Sequence, residues 1–147
     1  GPRHMIFSYD GRFAYLVNEI ANNIMVFKYS EGRFSLIQAI HCIPRHFKGF
    51  SSASAIRMTS TGEHLFVSNR GHDSIAMYRV NKESGKISLL YMVHTGKGPH
   101  IINDQFLIVG CQSDNQLQVL TFDEDNEKLL MSDSTIDLPA PVCIAFE

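Results

Sequence analysis

The chain has 147 residues, of which 44% are hydrophobic and 10% aromatic, so it could bury a substantial core as one domain. Its net charge of −2 and isoelectric point near 6.4 give no reason to expect nucleic acid or an anionic membrane as a partner. No apolar run approaches the roughly 20 residues of a membrane span, and the first predicted strand is not preceded by a secretory signal pattern.

Three cysteines, Cys42, Cys111 and Cys143, lack the spacing of metal ligands. An odd number of widely separated cysteines is typical of buried, reduced thiols in a cytoplasmic protein. We therefore expect a cytoplasmic location and no metal or other cofactor.

The first predicted repeat covers residues 1–40 and contains four short strands, at residues 3–7, 13–17, 24–29 and 34–40. Asp10-Gly11 is typical of a tight turn between the first two strands. The pattern of short apolar runs separated by turns predicts one antiparallel sheet.

The second repeat, at residues 51–93, follows a longer connection that contains Pro44 and Gly49. Its strands are predicted at residues 55–58, 64–68, 75–80 and 87–93. Gly62 lies 51 positions after Gly11, and Asn69 lies 51 positions after Asn18. Without the long connection the period is about 40, the length of a four-stranded propeller blade.

The third repeat, at residues 95–138, has predicted strands at 106–109, 117–122 and 129–136. The segment before them leaves no room for a full first strand, so we expect a trimmed blade or missing residues. Residues 141–146 resemble residues 2–7 and are predicted to be the first strand of a further blade.

The predicted fold class is all-β, with about three propeller blades of four antiparallel strands plus one closing strand within residues 1–147. A closed propeller typically needs about four to eight blades, so we expect this chain to be the C-terminal part of a longer protein. Its open faces should make the isolated chain self-associate, or pair with the missing N-terminal blades. Sedimentation as a stable, compact monomer would contradict this expectation.

Three polar residues follow the second strands of successive repeats at equivalent positions: Glu19, Arg70 and Gln112. Equivalent positions of neighbouring blades converge at the mouth of the central channel, where Arg3 and His4 of the first inner strand would join them. Arginine suits phosphate or carboxylate, and glutamate or histidine suits proton transfer. The catalytic candidates are therefore Glu19, His4 and Arg70, and the substrate-binding candidates are Arg3, Arg70 and Gln112.

His72, two residues after Arg70, is a further substrate-binding candidate, although residues in such turns commonly make local hydrogen bonds instead. Other structural interpretations also stay open. Glu19 and Arg70 could form a salt bridge between blades, residues 1–5 could be a cloning scar, and the basic connection at residues 41–48 could be a solvated loop.

Several motifs resemble the lactonase family of seven-bladed β-propellers, typified by the bacterial propeller-type 6-phosphogluconolactonases. They are Gly-Pro-Arg-His-Met at residues 1–5, Val-Asn-Glu at 17–19, Ser-Asn-Arg-Gly-His-Asp-Ser at 68–74 and Pro-Ala-Pro-Val-Cys-Ile at 139–144. The run at 68–74 is the most specific of these. At Gly98-Pro99-His100 the family more usually has Pro-Arg and then a complete inner strand, which puts a basic ligand from the third blade in doubt.

The resemblance implies a cleft at the channel mouth that holds Arg3, His4, Glu19 and Arg70. It also implies hydrolysis of 6-phosphogluconolactone to 6-phosphogluconate in the pentose phosphate pathway. Glu19 or His4 would take a proton from water, one arginine would stabilise the oxyanion and the other would hold the phosphate.

Two other functions fit the same residues. A lactone-forming cycloisomerase of the carboxymuconate type would bind a carboxylate substrate with the same arginines. A non-catalytic propeller would need only the repeats and would bind a protein partner on its channel face.

Overall fold

The computed structural model describes residues 1–101 and 107–142, and this part of the chain contains twelve strands and no helix. The first sheet contains β1 (Pro2–Phe7), β2 (Phe13–Asn18), β3 (Asn23–Ser30) and β4 (Arg33–His41). The second contains β5 (Ser52–Met58), β6 (His64–Arg70), β7 (Ser74–Val80) and β8 (Ile87–His94). The third contains β9 (Pro99–Ile101), β10 (Leu107–Cys111), β11 (Gln116–Asp123) and β12 (Lys128–Asp137). Each sheet is antiparallel, with its strands in chain order, so the predicted all-β class with four-stranded blades is confirmed.

The turn between β6 and β7 depends on Gly71. Gly71 has φ of +85°, and a Cβ added to it would lie 2.3 Å from the carbonyl oxygen of Phe50. Only glycine combines this dihedral angle with this approach. The turn therefore holds the end of the long connection against the end of β6.

The second sheet is packed on both faces, because alternate residues of its strands point to opposite sides. On one face Val67 and Tyr78 pack with Tyr15 of β2 in a buried core. On the other face Phe66 packs with Leu107 of β10 in a second core. The three sheets are therefore stacked in chain order.

The third repeat begins with a short first strand in the described residues, which agrees with the expected trimmed blade. β9 is only three residues long, and Pro99, His100 and Ile101 pair with Cys111, Gly110 and Val109 of β10. Three residues are too few to show a strand pattern in the sequence. The predicted closing strand at residues 141–146 lies mostly outside the described residues, as does Cys143.

The first strands of the three sheets lie next to one another, since β1 contacts β5 and β5 contacts β9. The fourth strands are on the opposite side of each sheet. Side chains at the ends of the first and second strands can therefore meet across blade boundaries, which is the arrangement expected around a propeller axis.

The outward faces of the first and third sheets carry exposed apolar side chains. Phe7 and Phe34 are 45% and 47% exposed and form an aromatic cluster with Tyr29. On β12, Leu130 is 53% exposed. Pairing of these faces with further blades, or with another copy, stays a prediction.

Two of the three cysteines are free and buried, as expected. Burial raises the pKa of the Cys42 thiol to about 12 and that of Cys111 to about 11. Both thiols are thus protonated at neutral pH. The described residues contain no helix of the length and hydrophobicity needed to cross a membrane.

Candidate functional site

Glu19, Arg70 and Gln112 occupy equivalent places at the ends of the second strands and meet at one groove. The backbone of Glu19 is held from both sides, because its N–H donates to the carbonyl of Gly1 at 2.8 Å and its carbonyl accepts from the N–H of Ala53 at 3.0 Å. The first bond lies within the first blade, and the second joins the first two blades next to the Glu19 side chain.

Arg70 is fixed by the residue that precedes it. Asn69 is fully buried, and its side-chain amide donates to the carbonyl of Cys42 at 2.8 Å. The following turn is closed by the Gly71 N–H, which donates to the Asp73 carboxylate at 3.0 Å. The end of β6 is thus anchored both to the long connection and to its own turn.

One carboxylate and two guanidinium groups form an ion triad across the first two blades. Glu19 accepts from Arg70 through Oε1, and from Nη1 of Arg3 through Oε2 at 3.3 Å. Arg3 also donates from Nε to the carbonyl of Ser54 at 3.0 Å. The three charged side chains are 25–34% exposed, so the triad is ordered by its contacts and still open to a ligand.

The groove beside this triad has a volume of about 860 Å³. Its charged lining residues are Glu19, Arg70, Asp73 and Lys97, and Gln112 lies beside them. A volume of this size is within the usual range for small-molecule sites. The predicted salt bridge between Glu19 and Arg70 is therefore part of the polar cluster at the groove.

His4 lies in an adjoining pocket of about 420 Å³ that Arg3 also lines. Its Nδ1 accepts from the N–H of Ile56 at 3.4 Å, and its Nε2 lies 3.3 Å from Nη1 of Arg57. Burial, and then the charges of Arg57 and Arg3, lower the pKa of His4. The imidazole is therefore neutral at pH 7 and could accept a proton.

His100 and Arg57 line the same pocket, and the sequence reasoning did not select either. His100 Nδ1 lies 3.0 Å from Oγ of Ser54. Burial, followed by the charges of Arg70 and Arg3, lowers the pKa of His100, while a contact with Gln112 opposes this effect.

Each of these two residues has a weak signal in the sequence. Gly98-Pro99 repeats Gly1-Pro2, so His100 follows the second proline as Arg3 follows the first. In the sheet His100 pairs with Gly110 as His4 pairs with Val17. Arg57 is the one charged residue in β5. His100 is thus the histidine that the third blade contributes to this pocket.

His72 lies elsewhere. Its Nδ1 is 2.7 Å from Oγ of Ser74, and its ring packs edge-on against Phe47 at 4.7 Å between centroids and stacks on His94 at 5.3 Å. The residues that line the groove include its neighbours Gly71 and Asp73 but not His72. This geometry matches the local turn role that the sequence left open, and His72 lines neither the groove nor the pocket of His4.

In the described residues no three histidine, cysteine or carboxylate side chains come together as a potential metal site.

The family profile described as "Lactonase, 7-bladed beta-propeller" matches residues 1–146. The chain belongs to the seven-bladed β-propeller lactonase family. The 6-phosphogluconolactonase of Bacillus subtilis is 34% identical over 153 residues, which cover 99% of this chain and 44% of that protein. This lactonase-family chain therefore spans less than half the length of that curated relative.

Solved structures of the lactonase fold agree with the observed blades. The periplasmic gluconolactonase of Pseudomonas aeruginosa has a TM-score of 0.89 at 31% identity and covers 96% of this chain and 41% of its own. A protein from Lactobacillus plantarum has a TM-score of 0.90 at 30% identity and covers 97% of this chain and 44% of its own. In this chain, the motif residues Arg3, Glu19 and Arg70 of the lactonase resemblance form the ion triad.

Proposed function

We propose that the complete protein hydrolyses a sugar-acid lactone in the groove beside the Arg3–Glu19–Arg70 triad. The observation that carries this proposal is the triad itself, in which a carboxylate and two guanidinium groups are partly open to a groove of substrate size. The names of the relatives, a 6-phosphogluconolactonase and a gluconolactonase, support the same class of reaction.

The proposed reaction begins when water attacks the ester carbonyl of the lactone. Glu19 or His4 accepts the proton of that water, and Arg3 or Arg70 donates to the oxyanion that develops on the carbonyl oxygen. The bond between the carbonyl carbon and the ring oxygen then breaks. The ring oxygen leaves as a hydroxyl group after it takes a proton, and the product is an open-chain sugar acid.

The triad gives both arginines a role that changes during the reaction. In the free site each guanidinium donates to one oxygen of Glu19. A substrate that draws one guanidinium away leaves Glu19 with a free oxygen and a higher proton affinity, because a nearby positive charge favours the ionised carboxylate. Binding of the lactone would thus prepare the base at the same time as the oxyanion donor.

The substrate we propose is 6-phosphogluconolactone, with 6-phosphogluconate as product and a place in the pentose phosphate pathway. The excess of positive charge supports it, since two arginines share one carboxylate at the groove and a third, Arg57, lines the adjoining pocket. An anionic substrate would find a complementary charge there.

The test is hydrolysis of freshly prepared 6-phosphogluconolactone by the complete protein, measured above the spontaneous rate through a coupled dehydrogenase. We expect Arg70→Ala to lower kcat/KM by roughly 10- to 100-fold, because it removes a charged donor from both the groove and Glu19. A wild-type protein without activity on any sugar lactone would contradict the proposal and favour a binding propeller. Normal turnover in Arg70→Ala would place the site in another part of the protein.

A further inference from the structure

We propose that the pocket formed by His4, Ser54, Arg57 and His100 on the first strands binds the phosphate group of the substrate. This inference rests on the proposed lactonase function and assigns the phosphate to a pocket other than the groove. It gives Arg57 and His100 the role of determining specificity for a phosphorylated lactone.

Two of the three arginines near the axis are already paired with a carboxylate. Arg3 and Arg70 both donate to Glu19, so part of their charge is compensated in the free site. Arg57 forms no salt bridge with any carboxylate of the described residues, although it lines a pocket beside them. Of these three arginines, Arg57 is therefore the one whose charge is left for an anionic ligand.

The lining of the pocket is positively charged and polar. The pocket has a volume of about 420 Å³, and no aspartate or glutamate of the described residues lines it. A dianionic phosphate would therefore meet positive charge and polar groups without carboxylate repulsion. In the groove next to it the carboxylates of Glu19 and Asp73 offset the positive charges of Arg70 and Lys97, so a phosphate finds less net positive charge there.

Arg57 has hydrogen-bond donors to spare for a ligand. Arginine carries five N–H donors in a planar fork, and in the described residues Arg57 uses only Nη1, towards the carbonyl of its neighbour Ile56 at 3.0 Å and towards His4. Nε and Nη2 remain for a ligand. A fork of this kind matches two oxygens of one phosphate.

Two imidazoles and a hydroxyl group lie beside Arg57. His4 accepts from the N–H of Ile56 through Nδ1, and both of its ring nitrogens lie within 3.4 Å of Nη1 of Arg57. His100 also lines the pocket, and its Nε2 is buried near Gln112. Ser54 Oγ, bonded to Nδ1 of His100, adds a hydroxyl group.

The position of the pocket fits the shape of the substrate. Arg3 lines the pocket and also reaches Glu19 in the groove, so the two sites share a wall. The phosphate and the ester carbonyl of 6-phosphogluconolactone are separated by several bonds. One molecule could therefore place its phosphate in the pocket while its carbonyl lies at the triad.

The test uses Arg57→Gln in the complete protein, with 6-phosphogluconolactone and unphosphorylated gluconolactone as paired substrates. We expect kcat/KM for the phosphorylated lactone to fall roughly 10- to 100-fold, because a charge-assisted contact is lost. Turnover of the unphosphorylated lactone should change by less than about twofold, since it makes no such contact. The matched control is Arg79→Gln, which removes an arginine that pairs with Glu127 away from the pocket and should leave both rates unchanged.

A second measurement is independent of catalysis. Inorganic phosphate should raise the thermal midpoint of the wild-type protein and of Arg79→Gln, but not that of Arg57→Gln. Phosphate binding without lactone hydrolysis would remove the proposed function and keep the pocket as an anion site. An equal loss of activity on both substrates, or a phosphate effect that persists in Arg57→Gln, would overturn the inference. If Arg57→Gln does not fold, Arg57→Lys should fold and show a smaller loss confined to the phosphorylated substrate.

Discussion

Replacing Glu19 by glutamine distinguishes two roles of its carboxylate. The carboxylate either forms a salt bridge that only joins blades, or it takes part in catalysis. Glutamine has nearly the same shape and can still accept one hydrogen bond from an arginine, but it carries no charge and cannot accept the proton of water. The substitution leaves Arg3 and Arg70 without their shared partner. We therefore expect a modest fall in the free energy of unfolding and a much larger fall in kcat.

The loss of stability can be estimated from the exposure of the triad. Charged hydrogen bonds contribute about 1.5–3 kcal/mol when buried, and exposed pairs about 0.2–1 kcal/mol. With side chains 25–34% exposed, each contact lies between these limits. Since glutamine keeps part of one contact, we expect the free energy of unfolding to fall by about 1–2 kcal/mol.

The effect on catalysis should be larger. Loss of a general base typically costs about 10²- to 10⁴-fold in rate. We expect kcat to fall within this range while KM changes little, because the two arginines remain to bind the substrate.

The assay combines urea unfolding with steady-state hydrolysis of 6-phosphogluconolactone by the complete protein. The control is Glu63→Gln, which removes a carboxylate paired with Lys82 at 2.7 Å on an exposed surface outside the groove, and it should leave kcat unchanged. A fall in stability of the expected size with normal kcat would show that Glu19 is a structural salt-bridge residue. The proton acceptor would then have to be His4 or a residue outside this chain.

Two other outcomes follow from the described contacts. Gly71→Ala should lower the free energy of unfolding by about 1–3 kcal/mol, because its φ is positive and its Cβ would meet the carbonyl oxygen of Phe50; urea midpoints equal to those of the wild type would refute this. Burial lowers the pKa of His4, His72 and His100, so the unfolded chain binds more protons than the folded chain as the pH falls below about 6.5. Stability contributed by these residues should therefore be complete above that pH and decrease towards pH 5, and a flat profile of unfolding free energy over this window would show that their burial has no such effect.

The repeats and the turns were determined by the sequence alone, because they depend on local patterns. The alternation of apolar residues and the spacing of Gly11 and Gly62 are visible without any tertiary contact. The same spacing put Glu19 and Arg70 at equivalent positions, and the structure brings them into contact.

Only the tertiary structure decided which other side chains share the site. β9 is too short to show a strand pattern, so His100 was placed on an inner strand only by its pairing with β10. Arg57 looked like a single charge in an apolar strand until the packing of β1 against β5 brought it to His4. The orientation of His72 was set by Phe47, which comes from the long connection. In each case the deciding contact joins residues that are distant in sequence, and a local pattern carries no information about such a contact.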